Sequence, residues 1–145
     1  MPDAVITSDI MVGFPGESEE DFEDTLKALR RAEFDMIFSF IYSPRKGTPA
    51  AESSEQIPDK VKSERFDRLL KCQNDISLKK NEPMVGKTVR VLCDGRSKND
   101  TTVFSGRTEG NKIVFFEADD SDTGEFLEIL IERAETFALW GKIVK

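Results

Sequence analysis

The sequence predicts an α+β chain in two parts: a short β/α segment, then a small β-barrel or sandwich of five short strands. Three observations predict this. Asp9 to Phe22 reads as an apolar strand, a glycine-proline turn and a helix start. The hydrophobic period changes from helical to alternating after Pro83. Turn residues then recur at even spacing, at Asp94-Gly95, Glu109-Gly110-Asn111 and the acidic run Glu117 to Asp122 before Gly124.

The elements follow in order. Residues Met1 to Thr7 are a lead-in, and Ser8 to Val12 is the first strand. Ile10, Met11 and Val12 form an apolar run of the kind buried on both faces of a parallel sheet. Gly13 and Gly16 permit a sharp turn or a close approach to a ligand. Ser18 caps a helix reaching Glu33, with Phe22, Leu26 and Leu29 at helical spacing. The acidic run Glu19, Glu20, Asp21, Glu23, Asp24 suits the positive end of that helix and is given no chemistry. A second strand lies within Phe34 to Tyr42, and right-handed crossover makes the pair parallel. Ser43 to Gln56 reads as a long loop, and Pro58 opens a helix from Asp59 to Lys80 whose apolar face is Val61, Phe66, Leu69, Leu70 and Ile76. Asn81-Glu82-Pro83 ends it. The boundary is set at 82/83, giving parts 1–82 and 83–145. The strands of the second part are expected within Val85–Cys93, Thr101–Arg107, Lys112–Phe116, Phe126–Glu132 and Phe137–Val144. Two parallel strands leave a face and an edge open, so further chain is expected on the N-terminal side.

Composition narrows the function classes. The chain has 145 residues, a formal net charge of −7 and no histidine. The charge does not advertise nucleic-acid binding, so any such contact needs a local basic patch. Without histidine the commonest metal ligand and near-neutral base are missing. Cys72 and Cys93 stand in no metal-ligand spacing and read as thiols in a reducing cytosol. The longest apolar run, Met36 to Tyr42, is too short to span a bilayer, and the reading is cytoplasmic.

Three collinear stretches carry a resemblance. Thr7 to Phe22, with its Val12-Gly13-Phe14-Pro15-Gly16-Glu17 core, and Phe40 to Ala50 resemble the late strands of the radical S-adenosylmethionine methylthiotransferases. Gly106-Arg107-Thr108 and Asn111 to Phe115 resemble the TRAM domain that closes those enzymes, an OB-like five-stranded barrel. Within the family the stretch is most similar to the branch that modifies tRNA adenosine. The resemblance implies the end of a partial radical barrel followed by TRAM. It also implies S-adenosylmethionine and two 4Fe-4S clusters as cofactors of the intact enzyme. The implied activity is 2-methylthiolation of N6-isopentenyladenosine beside the anticodon, with the tRNA anticodon stem-loop as partner. Neither cysteine triad of the family is present, so no catalytic or metal-ligating residue is assigned to this chain. The alternatives are an inactive RNA-binding module, or a relative acting on another tRNA adenosine or a ribosomal protein.

Two candidate sites follow. Val12, Gly13 and Phe14 with Ile41, Tyr42 and Ser43 lie at strand ends, where open sheets bind ligands. Under the resemblance they form a shelf for S-adenosylmethionine, with Arg45 available to a carboxylate or phosphate; core packing, turn formation and a solvated arginine explain them otherwise. Lys87, Arg90, Arg96, Lys98, Arg107 and Lys112 make the first half of the barrel basic, against an acidic Glu117 to Glu135. Lys87, Arg90, Arg107 and Lys112 are expected to track RNA phosphates, with Trp140 as the exposed stacking ring. An ordinary solvated face is the alternative. Phe104, Phe115 and Phe137 read as core.

Overall fold

The computed structural model describes residues 4–144, in two compact units that divide between Ile76 and Ser77. In the first, β1 (Thr7–Val12) pairs in parallel with β2 (Met36–Ile41), in a register from Thr7↔Met36 to Val12↔Ile41. Between them runs α1 (Glu19–Ala32). Ser18 and Asp21 exchange hydrogen bonds in a capping box: the Asp21 N–H donates to Ser18 Oγ at 3.1 Å, and the Ser18 N–H donates to Asp21 Oδ2 at 2.9 Å. Glu33 closes the helix in the left-handed region at φ 47°.

The core of this unit gathers Val12, Phe22, Leu26, Leu29, Leu69 and Ile76, with Ile10, Phe34, Ile37, Phe66 and Cys72 around it. Only one face of the sheet enters it. Met11 is 51% exposed, and Met36, Phe38 and Phe40 lie open with it. The expectation of burial on both faces is therefore corrected: alternation along two strands gives one covered row and one uncovered row.

Two further corrections concern helices. The long loop contains a short helix, α2 (Pro49–Glu52), capped by Thr48, whose side chain accepts from the Ala51 N–H. The long helix α3 spans Asp59–Asn81, and its last turn, from Ser77, belongs to the second unit. Its buried side matches the expected apolar stripe only in part: Leu69 and Ile76 are in the core and Phe66 packs against it. Val61 and Leu70 are only half-buried, while Lys62, Arg65 and Gln73 are buried beside Leu69. Each of these three side chains has a donor that finds a partner. Gln73 Nε2 donates to the Phe34 carbonyl at 2.8 Å. Lys62 lays its methylene stem against Gly13 and brings its ammonium to Asp59 at 3.0 Å.

The second unit is a closed barrel in the order β3 (Thr88–Arg96), β4 (Phe104–Thr108), β5 (Ile113–Phe116), β7 (Leu139–Ile143), β6 (Phe126–Ala134). β3 closes on β6, β5 and β7 are parallel, and the remaining pairs are antiparallel. This is the OB arrangement expected. Val91, Cys93, Phe104, Val114, Phe116, Ile129, Ile131 and Leu139 fill the interior. Gly106 of β4 lies close against β3: a Cβ there would collide with the Leu92 carbonyl oxygen. Bulges at Cys93/Gly95 in β3 and Ile131/Arg133 in β6 bend the strands toward closure.

Candidate strand-end site and nucleic-acid interface

The ends of β1 and β2 come together as the sequence suggests. The Tyr42 N–H donates to the Val12 carbonyl at 2.8 Å, and the Phe14 ring meets Tyr42 edge-on at 5.2 Å. Phe14 and Ile41 are exposed, Ser43 and Arg45 lie on the exposed loop beyond, and Tyr42 is buried with its hydroxyl lacking a hydrogen-bond partner. Val12 is different from the other candidates: its side chain is wholly in the core.

Gly13 turns at φ +76°, and its N–H points at both oxygens of Glu17, 3.1 and 3.2 Å away. Arg65 reaches from α3 to the same residue, 2.7 Å from Glu17 Oε1 and 2.9 Å from its carbonyl. These side chains are 7% and 12% exposed, so this is a buried ion pair that fixes the turn. Arg65 also contacts Glu19 at 3.4 Å, and Arg68 binds Glu19 and Glu23. Two of the five acidic residues on α1, Glu19 and Glu23, are thus partnered by α3, in addition to any effect on the helix dipole. The hydrogen bond from Arg68 holds the Glu19 carboxyl below its usual range, and the Ser18 cap does the same for Asp21.

On the barrel, the predicted cations separate. Lys87 is exposed. Arg90 is exposed and lies over the Phe126 ring at 4.2 Å. Arg107 is half in solvent, 3.0 Å from Asn111 and 3.4 Å from Asp94. Lys112 turns inward: its ammonium is 2.8 Å from Asn81 Oδ1, and Asn81 Nδ2 in turn donates to the Glu135 carbonyl at 2.8 Å. Asn81 thus ties the last turn of α3 to the β6–β7 turn, and Lys112 holds it from the other side. Arg96 grips Asp120 through two hydrogen bonds of 2.8 and 3.0 Å, which raises its own pKa and lowers that of Asp120. The basic first half and acidic second half of the barrel sequence are therefore interleaved in space, because β3 bonds directly to β6.

The aromatic expectations need correction. Trp140 is not an exposed ring. It is half-buried between Phe115, 4.9 Å away, and the Arg133 guanidinium at 4.7 Å, with its indole nitrogen buried. Phe104 is core, Phe115 is half-buried, and Phe137 is 75% exposed on the β6–β7 turn. The ring missed in the sequence is Phe126, at 59% exposure. Alternation could have found it, since Phe126 shares its face of β6 with the exposed Glu128, opposite the buried Ile129 and Ile131.

Among the described residues, no three His, Cys, Asp or Glu side chains gather as a metal site, and no helix is long and apolar enough to cross a membrane. Cys72 and Cys93 are both free, and burial pushes the Cys93 thiol up.

Residues 82–144 match the TRAM domain family. The whole chain is similar to proteins named tRNA-2-methylthio-N(6)-dimethylallyladenosine synthase. That of Acetivibrio thermocellus is 50% identical over 145 residues, covering 100% of this chain and 30% of the relative. That of Moorella thermoacetica is 49% identical over 144 residues, covering 99% and 32%. That of Bacillus cytotoxicus is 48% identical over 145 residues, covering 100% and 28%. The chain spans about a third of the length of the curated relatives it matches.

Proposed function

From a chain that carries a TRAM domain and is related along its full length to the methylthiotransferases, we propose that it is the C-terminal portion of a tRNA methylthiotransferase. The observation that carries this is the near-half identity running through both units rather than through the barrel alone. The reaction is 2-methylthiolation of N6-isopentenyladenosine beside the anticodon, in the cytoplasm where tRNA is used.

In this reading the division of labour falls near 82/83, close to where the TRAM match begins at residue 82. The first part supplies one wall of the S-adenosylmethionine site. Its strand ends suit that group: Phe14 and Ile41 offer apolar surface, and the buried Tyr42 hydroxyl has a donor and an acceptor unspent. Gly13 stays in place because Glu17 and Arg65 hold the turn behind it. Arg45 takes a carboxylate or phosphate. When bound, S-adenosylmethionine and the two clusters supply the radical and the sulfur. Cluster thiolates come from the part of the relatives outside this chain, on the N-terminal side. The barrel holds the tRNA anticodon stem-loop, with Lys87, Arg90 and Arg107 on its phosphates. By itself the chain is then an RNA-holding module without activity, which is the second reading and differs only in what precedes it.

The test is a chimera. This chain replaces the matching third of the Bacillus cytotoxicus relative, and the fusion is expressed in cells that lack their own synthase but still make isopentenyladenosine. Mass spectrometry of tRNA nucleosides should show the 2-methylthio derivative. A soluble fusion that leaves isopentenyladenosine unmodified overturns the proposal.

A further inference from the structure

On the outer face of the barrel, Leu92 is the central residue of a patch whose two apolar members, Leu92 and Phe126, no expectation from the sequence included. It pairs with Phe126 of β6 on one side and Arg107 of β4 on the other. Leu92 is 37% exposed and Phe126 59%, so two large apolar side chains adjoin one another in solvent. Arg90, two residues before Leu92 and on the same face, lies with its guanidinium 4.2 Å from the Phe126 ring centre. The guanidinium thus covers part of the ring.

We propose that this face of β3 and β6, built from Arg90, Leu92 and Phe126 and bordered by Arg107, is a stacking platform for an unpaired base of RNA. The inference rests on the reading that the barrel binds RNA and adds where and how one base is held. A nucleobase is flat and apolar on both faces, and it stacks on phenyl rings and guanidinium planes alike. Its phosphate is an anion, and two arginines border the apolar centre: Arg107 one strand away from Leu92, and Arg90 two residues before it on β3 itself. The patch also has acidic neighbours. Glu128 is in register with Arg90, and Asp94 lies 3.4 Å from Arg107. These carboxylates weaken long-range attraction to a phosphate backbone, so the contact draws mainly on stacking. A loop nucleotide fits that balance better than a paired helix, whose bases are hidden. Trp140 does not compete for the role, since Phe115 and Arg133 already occupy it.

The experiment titrates the full chain at low salt with an anticodon stem-loop RNA and with a fully paired duplex. Phe126→Ala should lower affinity for the stem-loop by roughly 5- to 150-fold, the range for losing one base–aromatic stack, with little change in salt dependence. Phe126→Trp should restore it. Arg107→Ala should instead flatten the salt slope by about one phosphate contact. A reporter separates the two rings. In the variant carrying both Phe126→Trp and Trp140→Phe, RNA should quench the emission, whereas Trp140, the parent's single tryptophan, should respond weakly. If Phe126→Ala binds as the parent does while Arg107→Ala binds less, RNA reaches Arg107 without stacking on Phe126: the platform is overturned and the RNA reading stands. If Trp140 quenches and the tryptophan at 126 does not, the platform is likewise overturned. If the parent binds neither RNA, the RNA reading itself fails.

Discussion

Gly106 shows how a single missing carbon shapes the barrel. Any side chain there would run into the backbone carbonyl of Leu92 and the side chain of Val91, and a backbone atom in a hydrogen-bonded strand cannot step aside. Gly106→Ala should therefore destabilise the barrel by about 1–3 kcal/mol, read as a shift of the urea midpoint at unchanged m-value. The residue was legible as part of a family stretch, but its physical reason was not, because the crossing distance of β3 and β4 is a property of closure. Trp140 illustrates the opposite failure. A lone tryptophan near a chain end looks like a solvent-facing ring until β7 is placed against both β5 and β6, whose Phe115 and Arg133 then cover it. The inward turn of Lys112 was hidden for a related reason: its partner, Asn81, lies 31 positions away.

At the scale of the element, α3 is the instructive case. Its existence and limits could be read from Pro58 and Asn81-Glu82-Pro83, and Phe66, Leu69 and Ile76 from apolar spacing, yet the buried Lys62, Arg65 and Gln73 could not. Arg65 is buried because Glu17 waits for it at a turn more than forty residues earlier. Nothing local distinguishes it from a solvated arginine. Arg65→Ala should cost roughly 3 kcal/mol, the low end for breaking a buried pair, because Glu17 keeps the hydrogen bond from Gly13. Chemical denaturation followed by a probe in the first unit measures it. The exposed ends of the same network set an acid response. Glu19 and Asp21 have carboxyls held below their unfolded range, so their contribution is present above that range and is lost as pH falls through their folded values. Removing Arg68 should flatten that acid limb, since its hydrogen bond is the largest cause of the shift at Glu19. The strands of the barrel were far more legible, because alternation with turns between them is a local signal; their spatial order and the interleaving of Arg96 with Asp120 were not.

For the whole molecule, the two units differ in how they finish their sheets. The barrel joins its first strand to β6 and leaves no row of backbone groups open between strands. The parallel pair β1–β2 has, among the described residues, an outer edge on each strand and an uncovered row of Met11, Met36, Phe38 and Phe40. Amide exchange should accordingly be faster in Ser8 to Val12 than in Val89 to Leu92 of a dilute sample. The same feature fixes how the polypeptide behaves when crowded in a concentrator or an expression host. Self-association should begin at the first unit, by strand addition or by apposition of the greasy row. A single charge placed there, such as Phe38→Lys, should raise the concentration at which light scattering sets in, while the same change at exposed Phe137 should do much less.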